Sequence, residues 1–288
     1  MGKRNAVLGA VIGAAGVLAG VIQPEGAEKK PAQWSDVGLV SLVLTAGNSD
    51  SRTGGIANSL GCVRGKSSFE LQTRGYRVES TPRFRVAIGP SATDFEVIEL
   101  KSQLAAESYK VGTRFDRQIA GKLVWVIGGG WERNPFLGIH ERIMALAGIG
   151  HHWLKSDQTQ FRTDYSITRT READVVDDPG VADEFTGARF STKFQHTFAT
   201  GASLGHELIV DQSLDRTKDL RGDMTAWVTF ASGPHLAMQT ALELVYDREP
   251  ALQEIPLLTP LGLPTGQNVL LPLKDLDTTF TTSLLLHF

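Results

Sequence analysis

Cysteine is almost absent: one residue, Cys62, in 288 excludes an intramolecular disulfide framework, and no Cys/His cluster at zinc spacing accompanies it. Cys62 reads as a small residue packed in a strand. An excess of positive charge is also missing. Lys and Arg total 29 against 32 Asp and Glu, a formal net charge of −3, so no basic field suits a nucleic-acid backbone. There is no Gly-x-Ser-x-Gly elbow, and Gly128-Gly129-Gly130 lacks the Lys-Ser/Thr and the helix of a phosphate loop. That triplet reads as a strand bend or a close backbone approach. Helical periodicity is nearly absent after Gln33. A mean hydropathy of −0.10 argues against a bundle of membrane helices. It leaves a membrane barrel open, because only every second residue of a barrel strand faces lipid.

What is present starts with Met1-Gly2-Lys3-Arg4 and the apolar stretch Ala6 to Ile22. A basic start, an apolar middle and small residues afterwards predict a secretory signal over residues 1–27. Val17-Leu18-Ala19, Ala27 and Ala32 offer cleavage positions, and four glycines in the apolar stretch count against an uncleaved anchor helix. Residues Gln23 to Gln33 read as a polar linker.

Twelve segments of period-two alternation follow: Trp34–Thr45, Ser51–Val63, Ser67–Val78, Phe95–Thr113, Lys122–Arg133, Glu141–Leu154, Thr159–Thr170, Glu184–Ala199, Ala202–Leu214, Asp223–Ala231, Leu236–Arg248 and Leu276–Phe288. Most reach the roughly 9–11 residues that a tilted strand needs to cross a bilayer, whereas strands of soluble sheets cluster near five or six. Gaps after even-numbered segments are tight, as at Arg64-Gly65-Lys66 and Thr200-Gly201. Gaps after odd-numbered ones are mostly long, as at Glu79–Asp94 and Glu249–Asp275. Short turns on one rim and long loops on the other are the pattern of outer-membrane barrels. The predicted fold is therefore all-β: a transmembrane antiparallel up-and-down β-barrel of about twelve strands over residues 34–288. The run from Thr278 alternates to Phe288, as a closing strand read by the barrel-assembly machinery would.

Facing is clearest in two segments. Phe190, Thr192, Phe194 and Phe198 oppose Arg189, Ser191, Lys193 and Gln195; Met238, Leu242, Leu244 and Tyr246 oppose Gln239, Glu243 and Asp247. A lipid-facing Arg or Lys at the bilayer midplane costs about 2–4 kcal/mol, so the charged faces are placed inward. The candidate lumen-lining residues are Glu99, Lys101, Glu107, Arg162, Asp164, Arg189, Lys193, Glu207, Asp211, Glu243 and Asp247, with Glu70, Arg74 and Glu132 on the same face. Acidic members outnumber basic ones, nine to five. They either pair across the lumen into a rigid polar core or line a narrow water path with mild cation preference. Trp34, Tyr76, Tyr109, Trp131, Trp153, Tyr246 and Phe288 at segment ends fit an interfacial aromatic girdle. Residues Glu249–Asp275 carry five prolines, too many for a strand pair, and are expected to fold over the barrel mouth as a lid whose removal between Leu257 and Asn268 raises conductance.

At Leu44-Thr45-Ala46-Gly47-Asn48-Ser49-Asp50, preceded by the Trp34-led strand, the chain resembles the salt-induced outer-membrane proteins of the domain-of-unknown-function family number 481. Trp131-Glu132-Arg133-Asn134-Pro135-Phe136, with Arg142, Gly148 and Gly150, resembles a second stretch of that family, which often has an acid where Asn134 stands. The resemblance implies an outer-membrane barrel and brings no catalytic residues. Gly47-Asn48 also makes a good hairpin turn on its own chemistry, since both residues tolerate positive φ. The functional expectation is a narrow passive channel or an envelope-stress structural protein, with membrane lipid as its surroundings, small solutes or ions as partners, and no cofactor or nucleic acid. Two alternatives differ in class. One is a hydrolase with a rim site near His140 or near His151 and His152; the other is a surface-binding protein using its outer loops.

Overall fold

A computed structural model of the chain describes residues 31–45, 51–80, 85–91, 94–99, 103–178, 181–199, 201–231, 236–258 and 264–287. The expected signal segment, the Gly47-Asn48 turn, Lys101 and Phe288 lie outside the described residues. Among them the strands are β1 (Gln33–Thr45), β2 (Ser51–Arg64), β3 (Ser67–Ser80), β4 (Arg85–Ser91), β5 (Asp94–Glu99), β6 (Gln103–Ala120), β7 (Leu123–Asn134), β8 (Ile139–Lys155), β9 (Thr159–Asp174), β10 (Glu184–Thr197), β11 (Ser203–Ser213), β12 (Leu220–Ala231), β13 (Leu236–Asp247), β14 (Leu252–Leu258), β15 (Pro264–Pro272) and β16 (Leu276–His287). Twelve of them close into a ring in the order β1-β16-β13-β12-β11-β10-β9-β8-β7-β6-β3-β2, every neighbour antiparallel. The remaining four make two separate hairpins, β4–β5 and β14–β15. Both hairpins rise from the rim that carries the long loops.

Period-two alternation sorts the wall into two faces. Outward lie Ile56 at 66 % exposure and Trp34 at 65 %, with Trp125, Ile127, Tyr165, Ile167, Phe280 and Leu284 also exposed. A soluble protein would hide such a band; here the ring turns it out on all sides, as a wall bathed in lipid does. Inward lie the charged residues and a small apolar cluster of Leu39, Ala57, Ala237 and Leu285, against which Val37 and Tyr76 pack.

Three expectations are corrected. The segment Phe95–Thr113 is not one wall strand: its first part is β5, paired with β4, and the wall strand begins at Gln103. Residues 249–275 do contain a strand pair, with Leu252 opposite Pro272 and Ile255 opposite Val269. The prolines are accommodated because Pro264 and Pro272 bound β15 and Pro256 sits at a register shift, positions where a missing N–H breaks no ladder. Tyr76 belongs to the inward cluster rather than to an aromatic girdle.

Candidate functional site

The lumen is crossed by ion pairs at three levels. Register explains why the charges meet. Following hydrogen-bonded partners around the wall, one line runs Leu285, Leu39, Ala57, Arg74, Lys110, Glu132, Arg142, Glu172. A second runs Arg162, Lys193, Glu207, Thr225, Glu243. A third runs Ser166, Arg189, Asp211, Arg221, Asp247. Opposed residues on adjacent strands have Cβ atoms roughly 5 Å apart, so each line is a string of near neighbours.

Nearest the short-turn rim, Arg114 on β6 holds Asp116 at 3.0 Å and reaches Asp164 on β9 at 2.9 Å. Arg162 on β9 answers with Asp164 at 2.7 Å and Asp116 at 2.7 Å. The ring puts β6 and β9 three strands apart, so this square of two guanidinium and two carboxylate groups spans part of the bore. Ser191 adds its hydroxyl to Asp164 at 3.4 Å. Gly150 makes the square fit: a Cβ there would lie 2.1 Å from Asp164 Oδ1.

At mid-height, Arg74 on β3 reaches Glu243 on β13 at 3.2 Å, four strands away around the ring. Lys110 on β6 touches Glu132 on the next strand at 3.2 Å and Asp223 on β12 at 3.9 Å. β6 and β12 are six strands apart whichever way the ring is followed, so this contact crosses the full width of the lumen. Beside these bridges lies a cavity of about 310 Å³, with Val37, Leu39, Ala57 and Leu285 on its apolar side.

Toward the long-loop rim, Glu172 takes Arg142 at 2.8 Å and Arg221 at 2.6 Å, and Arg221 also holds Asp219 at 2.9 Å and Asp247 at 3.6 Å. The Arg221 guanidinium stacks over Phe185 at 5.2 Å. Above is a vestibule of about 850 Å³, walled by Asp174, Asp177, Asp183, Arg216 and Glu249 and by the base of the β14–β15 hairpin. That base passes over the mouth: Ala251 and Leu273 lie against Gly138, in the β7–β8 connection five strands from β13. Gly138 has φ 79°, and a Cβ on it would fall 2.3 Å from the Ala251 Cβ. Asn134 shapes the same connection by accepting a hydrogen bond from the Leu137 N–H at 3.3 Å. A carboxylate at this position would accept equally well.

Arg162, Asp164, Arg189, Lys193, Glu207, Asp211, Glu243 and Asp247 lie on the inward face; Arg189 pairs with Asp211 at 2.7 Å and Lys193 with Glu207 at 3.6 Å. Glu107 does not. It faces outward, near Arg133 at 3.7 Å and Arg77 at 3.9 Å. The reason is a one-residue slip: on β6 the inward positions are Ser108, Lys110, Gly112, Arg114 and Asp116, so their odd-numbered neighbours point outward. Glu99 sits on β5, in a hairpin outside the wall. The slip also hid Lys110, while Arg114, Asp116, Glu172 and Arg221 were missed because they lie beyond the ends of the predicted segments; Arg142 lies inside the segment Glu141–Leu154 and was not assigned to the lumen. The alternation Lys110, Arg114, Asp116 was the available signal for a strand continuing past Thr113.

A family model described as "Protein of unknown function, DUF481" matches residues 39–256. No curated protein matches the chain. Among solved structures, the chain overlaps an anion-selective porin from Comamonas acidovorans with a TM-score of 0.36 and 7 % identity, covering 90 % of this chain and 100 % of that one. OmpT, an outer membrane protein of Vibrio cholerae, overlaps with a TM-score of 0.36 and 7 % identity over 89 % and 97 % of the two chains. OccK11 of Pseudomonas aeruginosa gives 0.32 and 8 % over 89 % and 95 %. Overlaps this slight say nothing about what the chain does.

Proposed function

The chain belongs to the DUF481 family of proteins of unknown function, and from that footing we propose that it is an outer-membrane barrel whose lumen is a narrow ion path, held nearly shut by bridging charges. The membrane reading is supported by the outward band of Trp, Ile, Phe and Leu and by strands of 11 to 18 residues around the ring. The observation that carries the closed state is the pair of mid-lumen bridges, Arg74–Glu243 and Lys110–Asp223. An open pore of this strand number would keep such groups apart in water; here they meet across it.

The inward carboxylates outnumber the inward cations, so the path favours cations when the bridges part, as carboxylate-lined constrictions do. Bridge strength depends on screening. The Debye length falls from about 10 Å at 0.1 M salt to about 3 Å at 1 M, which weakens the partly wet pairs first. Single-channel recording on refolded protein tests the reading. Wild type is expected to conduct weakly, with brief openings. The double variant Arg74→Ala, Lys110→Ala is expected to conduct several-fold more, with a reversal potential displaced toward the cation. Free conduction by wild type, or a double variant that folds and stays silent, would overturn it.

A further inference from the structure

The vestibule at the long-loop rim is charged on two separate sides. On one side Asp174 ends β9, and Asp177 and Asp183 stand in the connection to β10; all three line the space of about 850 Å³. Asp174 has a carboxylate oxygen, Oδ1, that is buried and accepts no hydrogen bond. On the other side Arg248 and Lys274 line the space where the β14–β15 hairpin leaves the wall, one before β14 and one after β15. Among the described residues none of these five forms an ion pair. The cations deeper in are taken: Glu172 holds Arg142 at 2.8 Å and Arg221 at 2.6 Å. Backbone hydrogen bonds fix both sides in place. The Glu172 N–H donates to the Asp183 carbonyl at 2.7 Å, and the Arg248 N–H donates to the Leu220 carbonyl at 3.0 Å. Pro250, Ala251, Pro272 and Leu273 add apolar surface at the hairpin base.

We propose that this vestibule binds short peptides with free termini, the ammonium end against Asp174 and Asp183 and the carboxylate end against Arg248 and Lys274. Free charge of opposite sign on opposite sides selects a zwitterion. A solute of one sign meets repulsion on one side, and a neutral solute uses neither. Ammonium–carboxylate and guanidinium–carboxylate hydrogen bonds are the strong, charge-assisted kind. The span selects a peptide over a single amino acid. β10 and β13 are three strands apart in the ring, about 14 Å along the wall at roughly 4.8 Å a strand. Side chains reaching inward shorten that gap, and an extended tripeptide, at roughly 3.5 Å a residue, carries its charged ends on the order of 10 Å apart. The volume lies within the range of small-ligand sites, and the apolar hairpin base gives the peptide's own side chains a surface to cover.

This inference rests on the membrane-barrel reading but not on conduction, so its test uses no current. Trialanine, N-acetyl-trialanine and trialanine amide are titrated calorimetrically into the refolded protein in micelles. Trialanine is expected to bind saturably, one to one. Each blocked form should bind roughly tenfold more weakly, the loss of one charged contact. Asp174→Asn with Asp183→Asn should weaken trialanine by a similar factor and leave the N-acetyl form unchanged. Arg248→Gln with Lys274→Gln should do the same for trialanine and leave the amide unchanged. No saturable heat with trialanine, or equal affinity for free and blocked peptides, would overturn the proposal, and that comparison needs only the wild type. Unchanged trialanine affinity in both variants, each shown to be folded by its heat-dependent gel migration, would be equally fatal. A protein that binds trialanine but never conducts would overturn the ion path alone; one that conducts as expected and binds no trialanine would overturn this inference alone.

Discussion

Asp164 shows how much a single residue can carry in this lumen. It accepts from Arg114, Arg162 and Ser191, and it is 6 % exposed. Asp164→Asn removes one of the two carboxylates of the square and leaves two guanidinium groups sharing Asp116. Breaking a buried pair on one side costs roughly 3 kcal/mol or more, because the remaining charge stays desolvated. The urea midpoint of unfolding in micelles should fall accordingly, while Asp164→Glu, which keeps the charge, should recover part of the loss. An unchanged midpoint in Asp164→Asn would mean that the square is solvated and contributes little. At this scale the sequence was only partly legible. Arg189 and Lys193 could be placed because Phe190 and Phe194 fix the parity of β10, and Arg162 and Asp164 because Phe161 and Tyr165 fix that of β9. Glu107 could not, because β6 mixes Tyr109 and Phe115 with Thr113 and Arg117 on its outward face, and a one-residue slip leaves the pattern nearly as plausible.

Elements were read more reliably than faces. The long alternating segments from β7 to β13 survive with boundaries shifted by a few residues, since length and period reinforce one another there. Both hairpins outside the wall escaped the reading. β4 and β5 are short, and the prolines of β14 and β15 argue locally against a ladder that bulges and strand ends nonetheless permit. Among the described residues, the hairpin base at Ala251 and Leu273 lies over the mouth. Trimming residues 257–268 should then leave conductance unchanged. Replacing residues 251–273 with a short Gly/Ser linker should raise it further in the Arg74→Ala, Lys110→Ala background. If the tip deletion alone opens the path, the base is not the cover.

For the molecule as a whole, closure of the ring was foreseeable from strand number and from the parity of long and short connections. How the charges meet was not, since contacts between strands three to six places apart depend on tilt and curvature that local pattern does not encode. A closed barrel with no free edge resists unfolding by detergent at room temperature, so unheated protein should migrate faster on a denaturing gel than boiled protein. Identical migration after verified refolding would speak against a sealed wall.

The Lys110–Asp223 contact has a geometric corollary. A round ring of twelve strands is wider than side chains alone fill, so strands facing each other squarely can touch only if the cross-section is oval, pinched between β6 and β12. The sharp ends of that oval then fall at β1 and β9. Bending is then tightest at those two strands, and cutting the clasp should let the ring relax toward a circle.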